Sequence, residues 1–360
     1  MIIAINTIQP QTTSINFDVD FLVELMLYKT KQEPENNFVF IVNTAVDVEL
    51  LPANCKIELI KKEPTSASGL LLFSSVTLPA ILKKIQAQMV MHLAGYGCIT
   101  GSVSQVVFTN TALSATSFVV KKSLQKASCI VVGSELIKNE LVLKLQIPSS
   151  KFQVIQGVAH PLFTPLNYIE SNIVKDGNAD SREYFLAVST QYTYHEFINL
   201  LKAFTAFKKW QKSSMKLLVI GSIIDHKKQL NDKITTYKYR EDVELQENIS
   251  LELETKLFGA AYAVLLLSTQ SQYQIPILQA FQANVPIIAI ENKGIEVTFN
   301  EAILVVSKDD VEMMADNMKL LYRDENLRSK KIAESQTIAA LHTYENSYVQ
   351  LQNALHVANL

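Results

Sequence analysis

Arginine is the scarcest charge in this 360-residue chain: Arg182, Arg240, Arg323 and Arg328 are the only four, and the first half has none. Arginine is the preferred bidentate ligand of phosphate, and the formal net charge is -2. The net charge gives no electrostatic reason to expect nucleic acid as a partner, and the arginine-free first half lacks that phosphate ligand. Cysteine is also scarce. Cys55, Cys98 and Cys129 are odd in number, far apart and without a CxxC pair, which excludes a disulfide framework and a zinc site and fits a reduced, cytoplasmic setting. Glycine occurs ten times, and none of these sits in a GxxxxGK[ST] loop. Gly95, Gly97 and Gly101 in "HLAGYGCITG" miss the dinucleotide spacing by one residue and read as tight turns before another strand. No apolar run reaches transmembrane length. The opening "MIIAINTIQPQTT" has no basic residue ahead of its apolar stretch and reads as a buried strand, not a signal peptide.

What is abundant is the buried strand. Apolar runs recur at Ile2–Ile5, Phe38–Val42, Ile57–Ile60, Met89–Leu93, Val106–Phe108, Ile130–Val132 and Phe152–Ile155, with helical spacing between several of them. Continuous apolar strands alternating with helices predict parallel sheets covered on both faces, an α/β fold. The rhythm breaks over "PLFTPLNYIESNIVKDGNADSRE" and restarts at Tyr184. The expected organisation is therefore a first domain over 1–165, a linker over 166–183, a second domain over 184–340, and a C-terminal helix over 341–360 that could cross back to the first. Helices are expected near Glu196–Trp210, Leu251–Ala260, Pro276–Ala283 and Val311–Tyr322.

The lysine pairs are scattered and read as solvated helix ends. Lys121, Lys122 and Lys126 together would allow a weak association with an anionic membrane surface. The six histidines lack metal-ligand spacing, so no metal site is expected.

Three segments carry a family resemblance. They are "KASCIVVGSELIKNELVLKLQIPSSKFQVIQGVAHPLFTPL", "YFLAVSTQYTYHEFINLLKAF" and "KLFGAAYAVLLLSTQSQYQIPILQAFQANVPIIAI", followed by "EAILVVSKDDVEMMADNMKLLYRDENLRSKK". Over about Lys126–Lys331 the chain resembles the GT-B glycosyltransferases, in particular the retaining enzymes of family 4. The resemblance implies two doubly wound, Rossmann-like domains facing a central cleft. It implies a nucleotide-diphosphate sugar as donor and a glycan or lipid-linked acceptor in surface polysaccharide or glycoconjugate synthesis, without a further cofactor.

Anchored on Pro276, the family's two donor-site glutamates fall at Ser271 and Gln279, and its two glycines at Gln272 and Gln274, with Tyr273 between them. Gln279 keeps a hydrogen-bonding group for a ribose but loses the carboxylate. Charged hydrogen bonds contribute about 1.5–3 kcal/mol against roughly 0.5–1.5 for neutral ones. Pro276 suits a first helical turn and Asn284 a left-handed turn after the helix. The family's diphosphate clamp, a glycine loop followed by Arg and Lys, falls at Ser189, Thr190 and His195, with Glu196 expected to compete for a protonated His195. Losing one well-placed charge-stabilising group lowers rates by on the order of 10²–10³, so catalysis is expected to be weakened or lost. On the acceptor side "INTIQPQTTSINFD" lacks the usual glycine turn, and Asn110 stands near the expected histidine. His92 has two readings, a strand-end packing residue or an acceptor-side contact. Alternative functions remain: a non-catalytic GT-B module partnering an active transferase, or a sugar-nucleotide or dinucleotide enzyme of another class.

Overall fold

The computed structural model describes residues 1–9, 17–43, 51–60, 64–109, 117–223, 227–267, 274–291, 299 and 301–358. Contacts divide the chain into two units. One comprises residues 1–13, 17–158 and 343–360, and the other residues 14–16 and 159–342.

The first unit alternates strands and helices: β1 (Ile2–Asn6), α1 (Phe17–Gln32), β2 (Asn37–Val42), β3 (Cys55–Leu59), α2 (Ala67–Leu72), α3 (Leu78–Lys84), β4 (Met89–His92), β5 (Ser104–Phe108), α4 (Phe118–Lys126), β6 (Cys129–Val132), α5 (Glu135–Leu145) and β7 (Phe152–Val154). Every strand pair is parallel, in the order β3-β2-β1-β4-β5-β6-β7. The order reverses between β1 and β4, the point where ligands of doubly wound sheets gather beyond the strands' carboxyl ends.

One face of this sheet packs Phe73, Leu78 and Leu82, then Val120 and Leu124, then Leu141 and Leu145 into a single core with Val90, Val107 and Ile130. A π-helical turn, Phe73–Thr77, joins α2 to α3. The carbonyls of Ser74 and Ser75 accept bonds from Ile99 N at 3.1 Å and Thr100 Oγ1 at 2.5 Å, so the irregular turn fastens the loop between β4 and β5. Such turns open the backbone ladder and are short for that reason.

The second unit begins with α6 (Tyr168–Asn178) and continues β8 (Tyr184–Tyr192), α7 (Tyr194–Gln211), β9 (Lys216–Ile223), α8 (Lys227–Thr235), β10 (Val243–Gln246), α9 (Leu251–Ala260), β11 (Ala263–Leu266), α10 (Ile275–Gln282), β12 (Ile287–Ile290), β13 (Leu304–Val306), α11 (Val311–Arg323) and α12 (Glu325–Ala339). Its sheet is parallel in the order β10-β9-β8-β11-β12-β13, with the switch between β8 and β11. α7 and α11 pack together on one face through Phe197, Leu201, Phe204, Met314 and Met318.

The segment 166–183, expected as a linker, holds α6 and lies within the second unit. Asn167 and Glu170 cap it reciprocally at 3.0 Å each. Only Val174 of this helix is buried, which is why no apolar period marks it.

The last helix, α13 (Tyr344–Val357), belongs to the first unit. Tyr344 and Tyr348 pack on Tyr28 of α1, and Tyr348 Oη donates to Glu33 at 3.1 Å. Glu33 also receives Gln352 and the ammonium of buried Lys29. Burial pulls the Lys29 pKa down, and its ionic partner holds the Glu33 carboxyl below its ordinary value against desolvation.

Candidate functional site

In the second unit, α10 sits at the switch point after β11. Pro276 occupies its first turn, where a missing N–H leaves no bond unmade. Asn284 closes it at φ 60, with Val285 N on Ala280 O at 2.9 Å and Asn284 N on Phe281 O at 3.1 Å, a Schellman arrangement. Gln274 caps the other end with φ 55 and ψ 33, the left-handed region that glycine occupies without strain. The backbone conformation thus persists where the glycine does not. Gln274 and Gln279 are 9% and 3% exposed, and the Oε1 of each is buried without a hydrogen-bond partner. Two orphaned acceptors on one short helix are costly unless something donates to them. Ser271, Gln272 and Tyr273 lie outside the described residues.

The expected diphosphate loop is different from its sequence reading. β8 runs on to Tyr192, through the Ser189 and Thr190 positions of the expected glycine loop, and "STQY" carries no glycine to break it. Between Val188 and Gln191 it advances three residues while β9 advances two, from Ile220 to Ser222, so Ser189 and Thr190 form a β-bulge. Ser189 is buried, and the Thr190 side chain is outside the description.

α7 then starts at Tyr194. Thr193 and Glu196 cap it: Glu196 N donates to Thr193 Oγ1 at 3.2 Å, and Thr193 N donates to Glu196 Oε2 at 2.9 Å. Glu196, expected to compete for His195, is committed to this cap. The acid on His195 is Asp309, from the turn after β13: His195 Nε2 stands 3.1 Å from its Oδ1, and Asn199 Nδ2 donates to the same oxygen at 3.1 Å. Asp309 itself has φ 64.

Beside this cluster a pocket is floored by Leu200, Leu267, Ile290, Val306 and Met314 and rimmed by Asn199 and Asp309. Neither Asn199 nor Asp309 was singled out in the sequence. The helix expected near Val311–Tyr322 is capped by Asp310, whose Oδ1 accepts from Met313 N at 2.8 Å.

In the first unit, Asn6 and His92 are register partners at the ends of β1 and β4, on the switch point. His92 is fully buried. Gln105 Nε2 donates to Cys98 O at 2.9 Å, so its Oε1 is an acceptor, taking Cys98 N at 2.9 Å and His92 Nε2 at 3.1 Å. Nε2 therefore carries the proton, and Nδ1 accepts from Asn6 Nδ2 at 3.2 Å. Burial lowers the His92 pKa to about 3, which keeps the ring neutral. Both ring nitrogens are used within the fold, so His92 is a packing residue and not an acceptor-side contact. Gly97 lies against it: a Cβ there would meet His92 Cδ2 at 2.7 Å. Asn110 lies outside the described residues.

The three cysteines are free and buried, and desolvation raises the thiol pKa of each, for Cys98 and Cys129 to about 12. Among the described residues no group of three metal-ligating side chains occurs, and no helix is long and apolar enough to cross a membrane.

Two all-parallel, doubly wound sheets in succession, with a capped helix at the second switch point, define a GT-B glycosyltransferase fold. Residues 169–337 match the family Glycosyl transferases group 1, so the second unit is a domain of that group. The solved structure of WaaG, a glycosyltransferase involved in lipopolysaccharide biosynthesis, superposes with a TM-score of 0.74 at 12% identity over 99% of each chain. Anabaena HepE, solved with UDP and glucose, gives 0.74 at 11% identity over 99% of each chain. The O-antigen chain mannosyltransferase RfbU of Salmonella typhimurium is 21% identical over 193 residues, which are 54% of this chain and 50% of that protein. The match thus spans about half the length of this curated relative.

Proposed function

We propose that this chain is a glycosyltransferase-like protein whose second unit binds a nucleotide-diphosphate sugar through neutral contacts, with catalysis weakened or lost. The observation that carries the reading is Gln279: its Oε1 is buried and unpartnered, at the position that the family resemblance assigns to the donor ribose. Structural neighbours bind UDP-glucose, and the relatives act in lipopolysaccharide and O-antigen synthesis. The donor class is accordingly a nucleotide sugar and the acceptor a glycan or lipid-linked glycan, with no metal or further cofactor. The cellular setting is cytoplasmic, in keeping with three reduced thiols.

Transfer with retention would form the bond from acceptor oxygen to the anomeric carbon as the sugar–phosphate bond breaks on the same face, the acceptor's hydroxyl proton passing to the departing phosphate oxygen. The departing diphosphate then holds the charge. His195 is the group nearest that role by sequence position, and its engagement by Asp309 opposes it. That engagement also favours a second reading, a non-catalytic module that partners an active transferase.

The test is nucleotide release from UDP-, GDP-, ADP- and dTDP-sugars, with and without added glycan acceptor. The expected result is binding of one donor with turnover at least on the order of 10² below an ordinary transferase. Turnover near 10 s⁻¹, about the enzyme median, would overturn the weakened-catalysis reading. Absence of binding to every donor would overturn the donor-site reading.

A further inference from the structure

α6 carries its apolar side outward. Val174 alone of its residues is buried, packed toward α9, while Tyr168, Ile169 and Ile173 are 82%, 70% and 65% exposed. At about 100° per residue these three lie on one side of the helix, with Asn172, Asp176 and Gly177 beside them and Val174 opposite. Apolar side chains exposed singly are ordinary on a protein surface. Three at adjacent helical positions with a polar rim mark a contact surface.

Along this side Ile169, Ile173 and Gly177 form one ridge at four-residue intervals. Gly177 answers no need within the chain: a Cβ there would have nothing within 4 Å, and glycine weakens a helix relative to alanine. What it provides is a gap at one end of the ridge, with the bulk of Ile169 at the other. Such a ridge is complementary to its own reverse. Turned end for end about Ile173, Ile169 of each copy lies over Gly177 of the other, and the two Ile173 side chains meet on the two-fold axis.

We propose that α6 is the two-fold contact of a homodimer, packed antiparallel on α6 of a second copy of this chain. The charges agree. Lys175 is matched by Glu183 at 2.7 Å, and Glu170 is engaged in the cap. In the antiparallel pair Asp176 falls between Tyr168 and Asn172 of the second copy, each about 3 Å away along the axis and each able to donate to its carboxylate. The two Asp176 residues are about 9 Å apart along the axis, beyond the screening length of roughly 8 Å at physiological salt. A bilayer would leave Asp176 among lipids without these donors, and an unrelated protein would have to match the Ile169–Gly177 spacing that a second copy matches by symmetry. The two faces together bury on the order of 1,000 Å², the low end for a specific association, so the dimer is weak and reversible. The inference rests on α6 alone and is independent of donor binding.

The experiment is sedimentation equilibrium of the full chain from roughly 1 to 200 μM, which brackets a Kd on the order of 10 μM for an interface of this size. The chain is expected to pass from monomer to dimer over this range. Ile173→Glu sets two carboxylates against each other on the axis and is expected to raise the Kd at least about tenfold. Gly177→Leu fills the gap and is expected to do the same. Its open surroundings leave the monomer's thermal midpoint at or above that of the wild type, which separates a lost contact from a lost fold. The three native thiols are buried, so Ile173→Cys is expected to give a disulfide-linked dimer with diamide as the oxidant. A monomer at every concentration overturns the proposal, as does a dimer indifferent to both Ile173→Glu and Gly177→Leu. A dimer that Ile173→Cys does not cross-link overturns the two-fold placement and the proposal with it. A monomer that floats with phosphatidylcholine vesicles, and ceases to as Ile173→Glu, also overturns it, since the face would then belong to a bilayer.

Discussion

His195 Nε2 lies 3.1 Å from Asp309 Oδ1, across 114 positions of sequence, and Asn199 holds the same carboxylate oxygen from the next turn of α7. A carboxylate already faces this ring nitrogen, so a diphosphate would have to compete with it. Asp309→Asn keeps a residue type that tolerates positive φ and removes the competing charge. It is expected to tighten nucleoside diphosphate binding about three- to fivefold, the modest scale of an exposed pair. Calorimetric titration of both proteins checks this, and unchanged or weaker binding would assign Asp309 to another task.

Gln274 holds a left-handed conformation at the cap of α10. A glycine there releases that strain and removes a buried, unpartnered amide oxygen. Gln274→Gly is expected to stabilise the second unit by about 1 kcal/mol, read as a higher urea midpoint at unchanged slope. A lower midpoint would mean that packing of the glutamine side chain outweighs its strain.

His92 makes the first unit sensitive to acid. Its folded pKa, about 3, lies below its ordinary 6.5, so between these values the unfolded chain binds a proton that the folded chain refuses. Stability contributed by the neutral ring is complete above about pH 6.5 and is lost as pH falls toward 3. At pH 5 the loss is about 2 kcal/mol. Its neighbours Tyr96 and Cys98 are pushed up by burial and do not titrate in this window. Denaturant unfolding at pH 7.5 and pH 5 is expected to show the loss in the wild type and a smaller one in His92→Gln. Equal losses in the two would remove His92 as the source.

The seam of α13 on α1 rests on a buried ion pair, Lys29 with Glu33, to which Tyr348 and Gln352 are bonded. Glu33→Ala strands a buried ammonium and is expected to cost about 3–5 kcal/mol. Lys29→Met combined with Glu33→Leu is expected to cost much less, because apolar side chains of similar volume remove the desolvation penalty together with the attraction. Urea denaturation of the two variants distinguishes the outcomes. Equal costs would mean that the helix is held by its tyrosines alone.

The scaffold of the second unit was legible because it is written locally. Pro276 in a first turn and Asn284 in a left-handed turn are choices of single residues, and each is found as expected. The parallel strands of both units followed from apolar runs too uniform to have a solvent face. α6 was missed because its apolar side chains Tyr168, Ile169 and Ile173 are exposed and give no period, leaving only the Asn167–Glu170 cap as a signal. The acid beside His195 was not legible for a different reason. Which acid reaches His195 is decided by the turn after β13, and no local spacing reports a contact between Asp309 and a helix 114 positions earlier. His92 shows the same limit: its partners Asn6 and Gln105 come from neighbouring strands, and register alone brings them to the ring.

The central claim is that the second unit still receives a nucleotide through neutral groups, chiefly Gln279. The most direct measurement is titration calorimetry of the chain and of Gln279→Ala against UDP, GDP, ADP, dTDP and their sugar conjugates. The account predicts binding of one nucleotide at about micromolar level, near -8 kcal/mol, weakened about tenfold in the variant, the scale of one neutral hydrogen bond. No heat from any nucleotide at millimolar concentration, or equal affinity in the two proteins, would contradict it.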